Sequence, residues 1–554
     1  MTVNPIIRRE LISVLRSRWA LGMQLGPIAI FSLLVILRWP SEGQVDVAGR
    51  QAQQVFRLFG YGLLAMLLLL APAYPAVSIV AEKKRGTLAL LLNTPLSRPS
   101  IYLGKLLGAL GYIALPLAMS VPAVAACYAM GGLSLTRDIG VLYLVLALVT
   151  VQYTALALWI SSFATSTDSA LRITYGTVLL LAIGTLGPYL FLQGHPDTRA
   201  AHVAGWVRCL SPIPAVMELV GQGDVGGHGL IADAGAPLRY GVLALATTIA
   251  LAVHTTWRLT PTLFDRARPA GNNTLGASKS RQWLRRIAFV VDPERRTKPM
   301  GRFTNPVLVK EFRTRRFGRS QWMLRLVAVC ALASLGLTYA ATTGTVSWGV
   351  ETIGGIMVLL QVALIVMLTP SLAAGLISSE RESGGWALLQ MTPLSTGRIL
   401  RGKLLSVGAT MLLILLATLP GYAIMMVIKP VLQQQVLLVL ACLLLTAMFA
   451  VCLSAAVSSL FRHTAPATIA SYALLIALCG GPLLLWLGRD APFGHDLVQA
   501  ALRIDPIAAA LSILEVSNFS QYNVLPANWW IIASATAFSL ALLTFRTWRL
   551  TQPR

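Results

Sequence analysis

The sequence predicts an all-α polytopic membrane protein of about 12 transmembrane helices, arranged as two parallel six-helix repeats with amphipathic interfacial helices. Composition, apolar runs and an internal repeat support this prediction. Of 554 residues, 56% are hydrophobic and only 12% are charged, whereas an ordinary globular domain carries about 25% charged residues. Residues 58–81, 106–136, 404–428 and 516–545 contain no Asp, Glu, Lys or Arg, and roughly 20 apolar residues suffice to cross a bilayer.

The predicted spans follow the apolar runs of each half. In the first half they lie near residues 20–37, 58–80, 104–128, 139–160, 173–193 and 239–256. In the second half they lie near residues 322–341, 352–377, 404–428, 435–457, 466–488 and 527–545. An even number of spans puts both termini on one side of the membrane. The loops on that side hold 34 Lys and Arg residues against 10 on the other, which predicts cytoplasmic termini in a bacterial inner membrane.

The net charge of +24 would suggest a nucleic-acid partner in a soluble protein. Here the excess of basic residues follows from the loops assigned to the cytoplasm. The chain also lacks aromatic residues interleaved with basic ones, which single-stranded nucleic acid needs as a stacking surface. None of the six cysteines forms a CxxC pair, so neither a disulfide framework nor a zinc site is indicated. We therefore expect a lipid bilayer and no nucleic acid as a partner, and no metal.

An internal repeat is the most informative feature of the sequence. Residues 82–107 and 380–405 align without a gap at an offset of 298 and agree at 14 of 26 positions. Weaker matches keep the same order along the chain, and they pair Arg9-Glu10 with Lys310-Glu311, Ser161-Ser162 with Ser458-Ser459, Tyr175 with Tyr472, and Pro212 with Pro506. Copies with an even number of spans share one orientation. The predicted domains are a first half at 1–260, a basic linker at 261–302 and a second half at 303–554.

No catalytic constellation stands out in the sequence. Residues 397–403 have the glycine and lysine spacing of a phosphate-binding loop, but Leu404 stands where the magnesium-binding Ser or Thr belongs, and no predicted strand precedes the run. We therefore expect no ATP hydrolysis by this chain. The predicted spans also contain almost no ionisable residues, whereas an ion-coupled carrier places such residues at membrane depth. This disfavours a secondary carrier.

The repeated segment forms a connection between the second and third predicted spans. Thr87–Leu92 has helical composition, Thr94-Pro95-Leu96-Ser97 breaks it, and a new helix begins near Arg98. We expect Glu82 and Glu380 at the water interface, where a partner reaches them. Residues alone leave two alternatives open for this short helix: a docking element, or an interfacial helix that only anchors the hairpin.

The segments that precede the first span of each half are amphipathic. Ile7, Leu11 and Val14 share one helical face, while Arg8 and Arg9 point elsewhere, a pattern typical of a helix in the headgroup plane. Residues 305–319 repeat the arrangement with an apolar face that includes Leu308 and Phe312.

The motif acidic–basic–x–x–Gly–Thr–Leu–x–Leu–Leu–x–x–Thr–Pro–Leu–Ser, followed by Gly–Lys–Leu–Leu, resembles permease subunits of the ABC-2 type exporter family. The resemblance implies that six spans form one permease half and that the loop between the second and third spans contacts the ATPase. It implies soluble ATPase subunits on the cytoplasmic side, which bind the ATP and magnesium, and no cofactor in this chain. The alternative function is a membrane scaffold that couples an ATPase to mechanical or assembly work. The implied coupling residues are Glu82, Gly86, Thr87, Thr94, Pro95, Leu96, Ser97, Lys105, Glu380, Gly384, Thr392, Pro393, Leu394, Ser395 and Lys403.

Overall fold

A computed structural model describes most of the chain. The described residues are 5–15, 50–164, 166–192, 198–221, 235–259, 305–314, 350–487, 494–516 and 519–552, with a few isolated residues between them. Their contacts divide the chain into two compact units, one formed by Met1–Arg266 with Leu484–Val498 and the other by the remainder. The predicted domain limits at 260 and 303 stay predictions.

Ten helical segments of the described residues are long and apolar enough to cross a membrane. They are Ala52–Arg85, Arg98–Ala129, Leu135–Phe163, Ser169–Tyr189, Ala236–Arg258, Ile353–Glu382, Thr396–Ile428, Pro430–Leu460, Thr464–Trp486 and Ala527–Thr551. Each coincides with a predicted span, which confirms the all-α membrane fold. The predicted spans at 20–37 and 322–341 lie almost entirely outside the described residues, so the total of 12 stays a prediction.

The first unit is built from twelve described α-helices. They are α1 (Pro5–Leu15), α2 (Arg50–Leu70), α3 (Ala73–Arg85), α4 (Thr87–Leu92), α5 (Arg98–Met119), α6 (Val121–Ala129), α7 (Val141–Phe163), α8 (Thr167–Ala182), α9 (Gly187–Leu192), α10 (Arg199–Arg208), α11 (Pro212–Leu219) and α12 (Ala236–Arg258). A π-helical turn at Leu135–Gly140 precedes α7, and a 3₁₀ turn at Gly184–Leu186 precedes α9. A buried core of α2, α5 and α7 side chains includes Phe56, Leu67, Ile113 and Tyr153.

The second half of the chain contains eleven described α-helices in a matching order. They are α13 (Pro306–Thr314), α14 (Val350–Ala373), α15 (Ser378–Glu382), α16 (Gly385–Gln390), α17 (Thr396–Ala417), α18 (Leu419–Ile428), α19 (Gln433–Leu460), α20 (Thr464–Leu487), α21 (His495–Leu502), α22 (Pro506–Ile513) and α23 (Ala527–Thr551). A 3₁₀ turn at Pro430–Leu432 precedes α19. The amphipathic helices α1 and α13 pack against α5 and α17 of their own halves, so the structure repeats the arrangement that the sequence repeats.

Candidate functional site

The connection between α3 and α5 is a sharp turn, a short helix and a second turn. Gly86 has a φ of +75° in the left-handed region, where a side chain is strained and glycine is favoured. The helix α4 then runs for six residues, and Ser97 is the N-cap of α5. Two residues after the end of α4, the hydroxyl of Thr94 donates to the carbonyl of Leu91 at 2.6 Å. The predicted helix–break–helix pattern is confirmed.

The second half repeats this connection closely. Gly384 has the same φ of +75°, α16 also has six residues, and Ser395 is the N-cap of α17. The hydroxyl of Thr392 donates to the carbonyl of Leu389 at 2.6 Å. We call residues 82–105 and 380–403 the first and second connecting loops. Glycine, threonine and serine of the repeated motif therefore form turns and caps.

One position of each short helix is buried and another is exposed. Leu88 is buried among Ile79, Tyr102, Leu106, Ala155, Leu158 and Leu259. Trp386, its counterpart, is buried among residues of α14 and α17. Two positions further on, Leu90 is 70% exposed and Leu388 is 69% exposed. Each short helix is therefore anchored on one side and presents an apolar side chain on the other.

Charged side chains close the first connecting loop internally. Nζ of Lys105 lies 2.7 Å from Oε2 of Glu82 and 3.3 Å from Oε1 of Glu10. Arg9 pairs with Glu10 at 2.9 Å and also with Glu82. The Lys105 side chain is only 1% exposed. Two cations and two carboxylates thus join α1, the end of α3 and the start of α5.

The second connecting loop has the same set of charges. Nζ of Lys403 lies 2.6 Å from Oε1 of Glu311 and 3.2 Å from Oε1 of Glu380, while Lys310 lies 2.8 Å from Glu380. The Lys403 side chain is 2% exposed. We call these two clusters the charge tetrads: Arg9, Glu10, Glu82 and Lys105 in the first half, and Lys310, Glu311, Glu380 and Lys403 in the second.

Close helix packing brings the amphipathic helices onto the tetrads. A Cβ atom on Gly108 of α5 would lie 2.8 Å from Cβ of Glu10. In the second half, a Cβ atom on Gly402 of α17 would lie 2.9 Å from Cβ of Val307 and equally close to Asn305. Both contacts are shorter than a real Cβ allows. Glycine at these positions therefore lets α1 and α13 approach the spans closely enough for their glutamates to pair.

Glu82 and Glu380, which the sequence places at the water interface, are partly buried. Each side chain is only 14% exposed, because a buried lysine and a partly exposed cation from the amphipathic helix cover it. Burying an unpaired charge costs several kcal/mol, and a partner with good geometry offsets this cost. The two glutamates therefore join the connecting loops to the amphipathic helices.

The first tetrad includes two neutral hydrogen-bonding groups from α3. The hydroxyl of Tyr74 donates to Glu10, and Nζ of Lys105 donates to Oγ of Ser78 at 3.1 Å. Burial raises the pKa of Glu10, but the charge of Lys105 and hydrogen bonds from Tyr74 and Arg9 outweigh it and hold that pKa below its ordinary value. Glu10 is therefore ionised near neutral pH.

The second connecting loop has additional bonds to its own half. Trp386 Nε1 donates to the carbonyl of Leu550 at 3.3 Å, and the Gln390 side chain donates to the same carbonyl. Glu382 accepts hydrogen bonds from the backbone nitrogen and the hydroxyl of Thr464, at 2.9 and 2.8 Å. These bonds tie α16 to the end of α23 and α15 to the start of α20.

The structure brings some predicted site residues together and leaves others apart. Glu82 meets Lys105, and Glu380 meets Lys403. The Thr-Pro-Leu-Ser segments form the corner after each short helix, with Pro95 and Pro393 exposed. The motif analysis did not include the partners Arg9, Glu10, Lys310 and Glu311 in the site. A signal for them was present, because these acidic and basic pairs recur in both halves at nearly the same offset as the loops.

Each half contains long apolar helices and an amphipathic helix that is bonded to the connection between its second and third predicted spans, the arrangement expected of a membrane permease. The chain belongs to the ABC-2 family: the model described as "ABC-2 family transporter protein" matches residues 5–267 and 305–489. It is a multi-pass membrane protein and an ABC transporter permease subunit, which implies an ATPase partner.

A curated relative has the same character. The chain is 31% identical over 229 residues to the "Probable ABC transporter permease protein NosY" of Pseudomonas aeruginosa. The alignment covers 38% of this chain and 78% of that protein. The matched length corresponds to less than half of the present chain, in agreement with a chain that contains a permease sequence twice.

Proposed function

We propose that this chain supplies both permease halves of an ABC-2 type exporter in the bacterial inner membrane, with both termini in the cytoplasm. Soluble ATPase subunits dock beneath the connecting loops, bind the ATP and magnesium, and drive transport of a substrate outwards. The chain itself holds no cofactor. The family supports the ATPase partner, and the internal repeat supports one docking loop per half.

One observation carries the docking part of this proposal. Leu90 and Leu388 stand at equivalent positions of two rigidly held helices, and each is about 70% exposed although the opposite side of its helix is buried. Met391 adds a side chain that is 83% exposed at the end of α16. Apolar side chains on a small, preorganised element suit the centre of an interface, where buried anchors contribute most of the binding free energy.

The charge tetrads supply the rigidity that this docking needs. Each tetrad joins the residues before and after the short helix to the amphipathic helix. A force on the short helix is therefore transmitted to three helices. A rigid element passes a displacement on as a rigid-body rotation of the spans that follow it. The residues first implied in docking, Glu82 and Glu380, then act as positioning residues for the exposed leucines.

Site-specific photocross-linking tests the docking surface directly. A photoreactive side chain at position 90 or 388 is expected to cross-link, in membranes of the native host, to a polypeptide that carries an ABC-type phosphate-binding loop. Position 431 is the matched control, because Val431 is 85% exposed and lies in a connection predicted on the opposite side of the membrane. Equal ATPase cross-linking from 431, or none from 90 and 388, would contradict the proposal.

A loss of affinity provides a second measurement. Leu90→Asp and Leu388→Asp place a charge in the proposed interface, and loss of a central apolar anchor costs 2 kcal/mol or more, roughly 30-fold in affinity. ATPase recovered per inserted permease should fall by that factor, while Val431→Asp leaves it unchanged. Transport into inverted vesicles then separates the exporter from a scaffold that binds the ATPase without moving a solute.

A further inference from the structure

The second predicted span of each half is interrupted beside a proline. In the first half α2 ends at Leu70 and α3 begins at Ala73, with Pro72 between them. In the second half Pro370 lies near the end of α14, which stops at Ala373 before α15 begins at Ser378. Proline lacks the N–H that a helix needs, so the carbonyl four residues before it loses its helical partner.

A tyrosine from the fifth predicted span donates to a backbone carbonyl next to that position. The hydroxyl of Tyr175 donates to the carbonyl of Leu69 at 2.8 Å, and the hydroxyl of Tyr472 donates to that of Met367 at 2.6 Å. Leu69 and Met367 each stand three residues before the proline. Both tyrosines are buried, and both belong to the internal repeat.

A serine of α7 or α19, one residue past the fourth predicted span of its half, accepts hydrogen bonds from backbone groups on the other side of the interruption. Oγ of Ser161 accepts from the backbone nitrogens of Ile79 and Val80, at 3.2 and 3.1 Å. Oγ of Ser458 accepts from the backbone nitrogens of Ile377 and Ser378, each at 3.0 Å. Both serines are fully buried, so each hydroxyl replaces water that the membrane interior does not supply.

These bonds divide the first half into two bonded groups. Inward of the interruption, α3 bonds to α1 through Tyr74, to α5 through Ser78 and to α7 through Ser161. Outward of it, α2 bonds to α8 through Tyr175. Between the two groups α2 ends at Leu70 and α3 begins at Ala73, and Pro72 cannot donate the hydrogen bond that would continue the helix.

We propose that Ser161, Ser458, Tyr175 and Tyr472 are positioning residues of a joint in the second span of each half. The serines fix the inner part of the span to the module that carries the connecting loop, and the tyrosines fix the outer part to the fifth span. The joint sets the angle between the inner and the outer part of the second span when the connecting loop is displaced. This inference rests on the proposed function, because it assumes that an ATPase moves the loops.

Backbone hydrogen exchange on the permease alone tests the bonds without any ATPase. In lipid nanodiscs, the double variant Ser161→Ala/Ser458→Ala should raise the exchange rate of peptides covering residues 76–82 and 374–380 roughly 5-fold, the effect of losing about one net hydrogen bond. Ser162→Ala/Ser459→Ala is the matched control. Those hydroxyls are equally buried but bond to carbonyls of their own helices. Equal exchange in the two double variants would overturn the proposal.

Motion in the assembled complex gives a readout that loss of stability alone does not move. Spin labels replace two exposed residues in a background without native cysteines: Gln53, near the start of the interrupted span, and Asn93, at the C-cap of α4 in the first connecting loop. Tyr175→Phe/Ser161→Ala should halve, or more, the change in label distance on adding ATP, while cross-linking from position 90 stays normal. A distance change equal to that of Ser162→Ala would overturn the joint. Absent cross-linking in the unmodified chain would instead contradict the proposed function, with the exchange result unaffected.

Discussion

Nζ of Lys105 lies 2.7 Å from Oε2 of Glu82, so the last residue of the first connecting loop closes on the first. The two residues are 23 positions apart, and six-residue α4 projects between them. In the second half Lys403 and Glu380 repeat this closure at 3.2 Å. An ion pair therefore closes each loop at its two ends, and the short helix between them presents an exposed apolar side chain.

Removing the buried lysine should destabilise the protein strongly. Lys105→Met removes the buried cation from the carboxylates of Glu10 and Glu82, and breaking a buried pair from one side typically costs about 3–5 kcal/mol. Thermal unfolding of purified permease in nanodiscs should therefore shift to lower temperature. Arg85→Met is the matched control, because Arg85 is an exposed cation of the same loop and should stay within about 0.5 kcal/mol. Equal melting of the two variants would show that the tetrad is not stabilising.

Much of the fold was predictable because membrane spans follow from long uncharged runs. The helical turn, short helix and corner of each loop were equally predictable, since Gly86 and the Thr-Pro-Leu-Ser segment are local signals. The contact between α1 and the loop was not predictable. Glu10 lies 95 residues from Lys105, and their pairing depends on tertiary packing across Gly108. Sequence reasoning placed Glu82 at the water interface, because an acidic residue at the end of a span usually lies at that interface.

The docking of α1 should depend on pH in acid. The pKa of Glu10 is lower in the docked state than its ordinary value of 4.5, so pairing contributes stability above that value and loses it as pH falls below about 4.5 through the docked pKa. Hydrogen exchange of the α1 peptide should therefore accelerate between pH 4.5 and lower values, after correction for intrinsic rates. Glu10→Gln should exchange faster at pH 7 and lose the acid dependence. A Glu10→Gln profile identical to that of the unmodified chain would contradict this assignment.

The two loop glycines should tolerate no side chain. Gly86→Ala and Gly384→Ala force a Cβ into the left-handed region at φ +75°, which costs about 1–2 kcal/mol each. The surroundings are not the cause, since a Cβ at either position meets nothing within 4 Å. Gly397→Ala is the control, because Gly397 lies in α17 with open space around it. Alanine there should stabilise by up to about 1 kcal/mol.

Leu88 in the first half corresponds to Trp386 in the second half, and this difference shows a second limit of sequence comparison. The exchange suggests that the two loops differ in their exposed surface, yet both residues are buried anchors at the same position. What the indole adds is a hydrogen bond to the carbonyl of Leu550. Neighbouring Gly385 accommodates the Glu380 carboxylate, since a Cβ there would clash with Oε2 of Glu380. These compensations become visible only when both loops are seen folded.

Orientation in the membrane has a direct test. Reporter fusions at residues 270 and 554 should report the cytoplasm, and fusions at 225 and 495 should report the outside, because basic residues concentrate in the loops of one side. If all four fusions reported the opposite side, both the termini and the proposed docking surface would lie outside the cytoplasm. A periplasmic signal at 270 alone would overturn the span count in the first half.

The lysine of the phosphate-binding-loop spacing, Lys403, should not bind nucleotide. A lysine that contacts phosphates must present its ammonium group to a ligand, but Nζ of Lys403 is buried between Glu311 and Glu380, at 2.6 and 3.2 Å. A phosphate would have to displace two carboxylates, and like charges would then share one site. Titration of fluorescent ATP into the purified permease should show no saturable binding. Lys403→Met should lower the unfolding temperature and leave that titration unchanged. Saturable binding that Lys403→Met abolishes would mean that the tetrad opens to admit a phosphate. The assignment of nucleotide binding to the ATPase alone would then be wrong.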